Sequence, residues 1–387
     1  MEGGKRRNIY IMTVYGFLRG FGGSTFNTLF PLYMVYLGYR MSDIGGLATI
    51  SNIVLLFLIP LFGVISDSYG RKPVIILTGV ALASSLLLVG LSPEYLVLLT
   101  AYILRRFSMR GGQPARGALI AESVPPEMMG AAFGLVTSSV IATRVFIPSL
   151  SGYIADTLGY EPAFILGFIM VSIGVGIFTI FGIETYRGSG RLSLSKALND
   201  LKLRRGLGWL YLSIIFDRFG WSLWFPILNA YIGDIYGLNA TAVGILNSAM
   251  YGTMMISQYF IGRWIDKVGF LKGLIISEVV AVFGALALSI TGYIEFLLAG
   301  LIMTGLSISF WTPSYNKAIS IYTEEEYRAT EYSKMNMLRS IAAVPAPYLG
   351  GYLYDYIDVR LPFTLSAIFF TITTLIFYKT YRKQVQT

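Results

Sequence analysis

Apolar residues run through this chain in stretches of about twenty, the length that crosses a bilayer as a helix, and the polar residues gather in short gaps between them. Twelve stretches are predicted to span, at residues 9–38, 43–66, 74–91, 95–120, 131–155, 160–183, 208–233, 241–265, 273–291, 293–320, 330–355 and 360–380. The fold class expected from this pattern is an all-α membrane protein of twelve transmembrane helices. Glycine and proline fall inside several stretches, with Pro148, Ser149, Ser151 and Gly152 in the fifth and Pro345, Pro347, Gly350 and Gly351 in the eleventh. Neighbouring helices can satisfy the backbone groups that proline frees, and small residues let helices approach closely.

The first six stretches recur in the second six at a constant offset of 199 residues. Gly63 and Asp67 return as Gly262 and Asp266, Pro114 as Pro313, Pro148 as Pro347, Gly152 and Asp156 as Gly351 and Asp355, and Arg19 as Arg218. The chain is therefore two copies of one unit in the same orientation. Two pseudo-symmetric six-helix bundles are expected, residues 1–183 and 208–387, joined by a linker at 184–207. Paired parallel bundles are the build of transporters that work by alternating access. In the linker, Leu194, Ala197, Leu198 and Leu201 share a helical face, which suits either an amphipathic helix on the membrane surface or a solvated tether.

Composition agrees with a membrane protein: 55% of residues are hydrophobic and 13% charged, against about 25% charged in soluble domains, and the mean hydropathy is +0.64. Cysteine and histidine are absent, which excludes disulfides, thiolate chemistry, the usual transition-metal ligands and a histidine proton relay. No metal or cofactor is expected. Lys5-Arg6-Arg7 ahead of an apolar run imitates a signal peptide, but no small-residue cleavage site follows and the run is long enough to span.

The net charge of +9 does not mark a nucleic-acid binder, because of where it sits. Lysine and arginine crowd the N-terminus, the loops near Arg71, Arg191, Lys267 and Arg328, and the tail from Lys379 to Lys383, whereas the opposite loops hold Arg40 and Arg360. The positive-inside rule then puts both termini in the cytoplasm, as an even number of spans also requires. A multi-pass protein of the plasma membrane is expected, in contact with lipid and monomeric.

After the second span stands Gly63-Val-Ile-Ser-Asp67-Ser-Tyr-Gly70-Arg71-Lys72. It resembles the signature G-x-x-x-D-x-x-G-R-K of the major facilitator superfamily, in the loop where that family carries it. The second copy, Gly262 to Lys272 through Asp266 and Gly269, lacks the arginine, and Glu122 followed by Pro125, Pro126 and Gly130 resembles the family's loop after span four. Ser151-Gly152 to Asp156 resembles the glycine-rich end of span five in the family's antiporters, without the usual Gly-Pro order. The resemblance covers the whole chain and implies a secondary transporter. On the residues themselves, Gly63 permits close helix contact, Asp67 can face a helix N-terminus and Arg71 can pair with Glu122. Gly63, Asp67, Gly70, Arg71, Glu122 and Asp266 are the candidate conformational latch, set against the simpler role of Arg71 and Lys72 in fixing topology.

Substrate chemistry is sought in the charges within spans. Arg19, Arg105, Arg106, Arg110, Arg144, Arg218 and Arg339 lie deep in spans, while Asp217 is the one acid at comparable depth and Glu278 lies nearer an end. Each arginine would cost at least ~2.5 to 3.5 kcal/mol facing lipid, so they must face a watery cavity, pair with acids or cap carbonyls. Arg106 and Arg110 share a helical face with Gln113. Candidate substrate ligands are Arg19, Asn27, Arg106, Arg110, Arg144, Arg218 and Arg339, with Trp221, Trp224 and Trp311 as an aromatic wall. The surplus of guanidinium forks favours an anionic or amphiphilic organic solute, and the alternative for these arginines is helix packing.

No nucleotide-binding loop and no constellation of catalytic residues appears, so transport must run on gradients or exchange, and the chain is not expected to be an enzyme. Asp217 is the candidate coupling residue, with a proton or a counter-transported anion as the coupling partner. The first expectation is a transporter of a small anionic or amphiphilic solute. The alternatives are a proton-coupled multidrug efflux antiporter and, less favoured, a non-transporting receptor on the same fold.

Overall fold

The computed structural model describes residues 2–186, 207–323 and 328–386, and their side chains except at 2–5, 59–68, 328–330, 332–333 and 383–386. The possible linker helix at 194–201 lies outside the described residues. The fold is all-helical, with twelve spans. Seven of the described helices are long and apolar enough to cross a membrane by length and composition alone. The other spans carry interior polar groups, as Arg19 does in span one, or are divided into shorter segments.

The divisions follow proline and glycine. Span four is two helices, Tyr95–Gly111 and Gln113–Glu122, parted at Gly112, with Pro114 in the first turn of the second. Span seven runs Gly208–Trp224, then a 3-10 turn Phe225–Ile227 around Pro226, then Leu228–Tyr236. Span eleven is Arg328–Ala342 followed by Ala346–Tyr356, with Pro345 capping the second segment. Proline lacks an N–H and clashes with the preceding turn, so a span expected to be continuous resolves into two. By contrast Pro31, Pro148 and Pro313 are carried inside unbroken helices. Span one, Glu2–Tyr36, starts seven residues ahead of the expected boundary and takes up Lys5-Arg6-Arg7.

The chain forms two compact units. The first is Met1–Tyr33, Ile53–Leu198 and Asn239–Ser248, and the second is Met34–Asn52, Asn199–Leu238 and Ala249–Thr387. Each unit thus includes a short segment of the opposite sequence half, taken from the beginnings of spans eight and two respectively.

In the first unit, Met12 and Tyr15 of span one, Val74 and Ile75 of span three, Leu119 and Ile120 of span four and Phe178 of span six close one hydrophobic cluster. Span five, Met129–Leu158, meets the start of span eight, Ala240–Val268, backbone to backbone: a Cβ on Gly152 would strike the Ala240 carbonyl, and one on Gly244 the Pro148 carbonyl. Asp156 finishes this contact by accepting from the Ala240 N–H (3.0 Å) and the Thr241 N–H (2.8 Å), two of the orphan donors at a helix N-terminus.

The second unit repeats the device. Span two, Met41–Tyr69, begins against the second segment of span eleven, where a Cβ on Gly351 would strike the Met41 carbonyl and one on Gly45 the Pro347 carbonyl. Asp355, the repeat partner of Asp156, accepts from the Met41 N–H (3.2 Å) and the Ser42 N–H (2.7 Å). The core of this unit joins Leu210 and Ile214 of span seven, Leu271 and Leu274 of span nine (Phe270–Ser289), Tyr315 and Ile319 of span ten (Ile294–Tyr322), and Phe377 of span twelve (Leu361–Gln386).

Gly152→Ala and Gly351→Ala are expected to destabilise the protein by about 1–3 kcal/mol each, the cost of overpacking a close contact. Gly252→Ala, which meets nothing within 4 Å, serves as the control. Thermal unfolding in detergent, followed by intrinsic fluorescence, reads the difference.

Candidate functional site

In the first unit Arg19 of span one and Arg105 of span four are spent on each other's helices. Arg19 on span one donates from Nη2 to the Ser108 carbonyl (2.9 Å) and to Ser108 Oγ (3.3 Å) on span four. Arg105 on span four donates from Nη2 to the Gly23 carbonyl (3.3 Å) and to Asn27 Oδ1 (3.0 Å) on span one, with Phe26 beneath its guanidinium at 6.0 Å. The two arginines clasp the two helices reciprocally, and Asn27 is an acceptor within the clasp. Arg105 is only 6% exposed, and Arg116, in the segment beyond Gly112, donates to the Met109 carbonyl at 3.3 Å. Carbonyl capping, the alternative weighed for these side chains from sequence, is the geometry of both clasp arginines.

Arg106 and Arg110 are half-buried on the first segment of span four, but their helix ends at Gly111. Arg106 and Arg110 stay one turn apart on that helix, whereas Gln113 belongs to the next segment and is exposed. The face expected to join all three assumed an unbroken helix. Arg144 on span five is exposed.

The second unit holds its charges differently. Asp217 on span seven is 1% exposed and sits 3.6 Å from Nη2 of Arg339 on span eleven. The Arg339 guanidinium also lies 5.7 Å from the Trp311 ring and 5.6 Å from the Tyr315 ring, and those rings stack at 5.6 Å and 15°. Arg218 stands beside Asp217, half-buried. Trp221 and Trp224 pack at 5.3 Å and continue into Phe370 and Phe363 of span twelve. The Nε1 donors of Trp224 and Trp311 are buried and make no hydrogen bond. The unit therefore brings together Asp217, Arg339 and Trp311, with Trp221 and Trp224 along the same span as Asp217.

Two polar features here went unrecognised in the sequence. Glu278 on span nine is 1% exposed, deeper than its position near a span end suggested. The signal was present: it is flanked one turn away by Leu274 and Ala281, both core residues. Tyr211 donates to Glu331, which pairs with Lys334 at 3.1 Å, all three buried.

Of the candidate latch, Gly70 caps span three, Arg71–Leu91, with φ of +102°, a conformation open to glycine. Arg71 pairs with Glu122 at 3.2 Å and lies 4.5 Å over Tyr186. Glu184 accepts from the backbone N–H of Arg71 (3.1 Å) and Lys72 (2.9 Å), and the Thr185 hydroxyl donates to Glu122 at 2.6 Å. All of these belong to the first unit. Gly63 and Asp67 lie on the helix Met41–Tyr69 with their side chains outside the description. Asp266 pairs with Lys317 at 3.0 Å.

The family model of the Major Facilitator Superfamily matches residues 12–215 and again 210–386, once for each repeat. The chain belongs to the major facilitator superfamily. Among curated relatives, Multidrug resistance protein MdtG of Proteus mirabilis is 24% identical over 382 residues, covering 95% of this chain and 94% of its own. The Multi-drug resistance efflux pump PmrA homolog of Lactococcus lactis is 23% identical over 398 residues, covering 98% and 96%. Among solved structures, a point mutant of the nucleoside transporter NupG superposes with a TM-score of 0.80 at 14% identity, covering 96% of this chain and 99% of that one. This member of the superfamily is thus a multi-pass membrane transporter and not an enzyme.

Arg339→Leu removes the ion-pair partner of a buried carboxylate and is expected to destabilise the protein by about 3–5 kcal/mol. The double variant Asp217→Leu/Arg339→Leu recovers most of that loss. Thermal unfolding of the two single variants and the double variant completes the cycle.

Proposed function

We propose that this chain exports small amphiphilic organic molecules across the plasma membrane in exchange for protons. Residues 1–183 and 208–387 act as the two rocking bodies, and both termini lie in the cytoplasm. The observation that carries the reading is likeness along nearly the whole chain to proteins named as multidrug resistance and efflux pumps. It favours the efflux alternative over the anionic solute to which the arginine count first pointed.

The side-chain geometry supports the same choice. Arg19 and Arg105 are turned to neighbouring helices, where their Nη2 atoms donate to carbonyls, a hydroxyl and an amide, which is the packing role that stands against a ligand role for these two arginines. A site for neutral or cationic amphiphiles needs apolar and aromatic walls with a few polar groups, and Trp221 and Trp311 with Asp217 supply that set, while Trp224, 1% exposed and packed on Phe363, backs the wall from the core rather than lining it. Asp217, paired with Arg339 at 3.6 Å, belongs to the coupling site in this reading. Arg71 with Glu122, supported by Gly63, Asp67 and Gly70, and Asp266 in the second copy, form the cytoplasmic latch. The remaining arginines, Arg106, Arg110, Arg144 and Arg218, line the translocation route.

Everted membrane vesicles loaded by overexpression test the reading. An imposed pH gradient, acidic inside, is expected to drive uptake of ethidium and of tetraphenylphosphonium, with collapse on adding nigericin. Trp311→Ala is expected to lower the rate at limiting substrate. Uptake of organic phosphates or carboxylates, with no movement of either cation, would return the anionic reading.

A further inference from the structure

Three ionisable side chains from three spans meet inside the second unit, and their charges do not balance. Asp217 of span seven and Glu278 of span nine are each 1% exposed, and Arg339 of span eleven stands 3.6 Å from Asp217. Glu278 lies within electrostatic reach of both Asp217 and Arg339. Glu278 Oε2 is buried and accepts no hydrogen bond. The two carboxylates occupy the seam between two apolar clusters: Ile214 and Leu274 one turn away belong to one, Trp221 and Ala281 on the other side to the second.

The groups facing this seam come from every packed span. Span seven gives Arg218 and the Trp221 indole beside Asp217. Span ten gives Trp311 and Tyr315, whose stacked rings lie 5.7 and 5.6 Å from the Arg339 guanidinium, and span twelve gives the apolar Ala367 and Phe370. Glu331 on span eleven is engaged by Lys334 and Tyr211.

The fold itself does not require charge here. The positions 199 residues earlier are Leu18, Gly79 and Val140, and the first unit packs with those apolar residues in place. An isolated carboxylate in an apolar interior takes up a proton rather than stay ionised. Asp217 has the arginine beside it, and Glu278 is left without a cation of its own.

We propose that the Glu278 carboxyl is the binding site of the coupling proton, with the Asp217–Arg339 ion pair as the fixed charge against which it loads and unloads. The step balances without a co-reactant: one O–H bond forms as a proton arrives from water on one side, and the same bond breaks as the proton leaves. The trio is neutral with Glu278 protonated and carries one negative charge without it. The use of the proton rests on the export reading, but the site can be tested apart from transport.

Infrared difference spectra of the purified protein between acid and alkaline pH are the test, with glutamate labelled with 13C at the side-chain carboxyl. The expected result is a band of a protonated, buried carboxylic acid that moves with the glutamate label, is lost in Glu278→Gln, and persists at a displaced frequency in Glu278→Asp. If Glu278→Gln does not fold, the labelled wild type and Glu278→Asp still decide. A wild type with no label-sensitive acid band, or a band undiminished in folded Glu278→Gln, overturns the proposal. Everted vesicles then separate site from function: loss of pH-driven tetraphenylphosphonium uptake in Glu278→Gln supports the coupling role, and retained uptake overturns it. A band at Glu278 in a protein that moves no amphiphile overturns the export reading and leaves the proton site standing.

Discussion

Charge in an interior that holds little water has to find its partner inside the protein, and most of what is distinctive in this molecule follows from that. Backbone donors and acceptors are satisfied by forming helices, which leaves the side chains that carry charge to be placed one by one. Arg19 and Arg105 solve the problem by capping carbonyls on each other's helix. At span ends, where side chains are more exposed, Asp156 and Asp355 face helix N-termini, whose N–H groups and dipole both favour a carboxylate. Each solution also joins two helices, so the satisfaction of charge and the cohesion of the unit are one interaction.

The repeats divide this work unequally. The arginine clasp belongs to the first copy: the position equivalent to Arg105 in the second is Thr304, and Arg218, equivalent to Arg19, stands beside Asp217 instead. Buried acids belong to the second copy, where the first has Leu18 and Gly79. The glycine contacts and the aspartate caps, by contrast, are kept in both. What the repeats share is the means of packing, and what they do not share is the chemistry. A transporter built by duplication can change one half's ionisable groups without disturbing the scaffold that both halves use.

Much of this was legible in the residues. The constant offset of 199 and the spacing of apolar runs lead to twelve spans, and the motif around Gly70 and Arg71 leads to the family. The pairing of Arg71 with Glu122 was readable because both sit at span ends, where few partners are within reach. Helix breaks were less legible: Pro114 and Pro345 divide spans while Pro148 and Pro313 do not. The arginines misled as well. A count of charges within spans says that each needs a partner, but a backbone carbonyl leaves no mark in a sequence, and Arg19 and Arg105 each donate to one. Glu278 was passed over because distance from a span end is a poor guide to burial when neighbouring helices pack over it.

The central claim is that Arg19 and Arg105 of the first unit hold helices together while Glu278 of the second, beside the Asp217–Arg339 pair, binds a proton that trades places with an amphiphilic ligand. Proton release on ligand binding tests it most directly. Purified protein in weakly buffered detergent, with a pH indicator, is titrated with tetraphenylphosphonium at a series of starting pH values. Proton release is expected to saturate with the ligand, to approach one proton per bound molecule at the pH where Glu278 is loaded, and to vanish at alkaline pH. Binding of the same ligand with no proton released at any pH would contradict the claim.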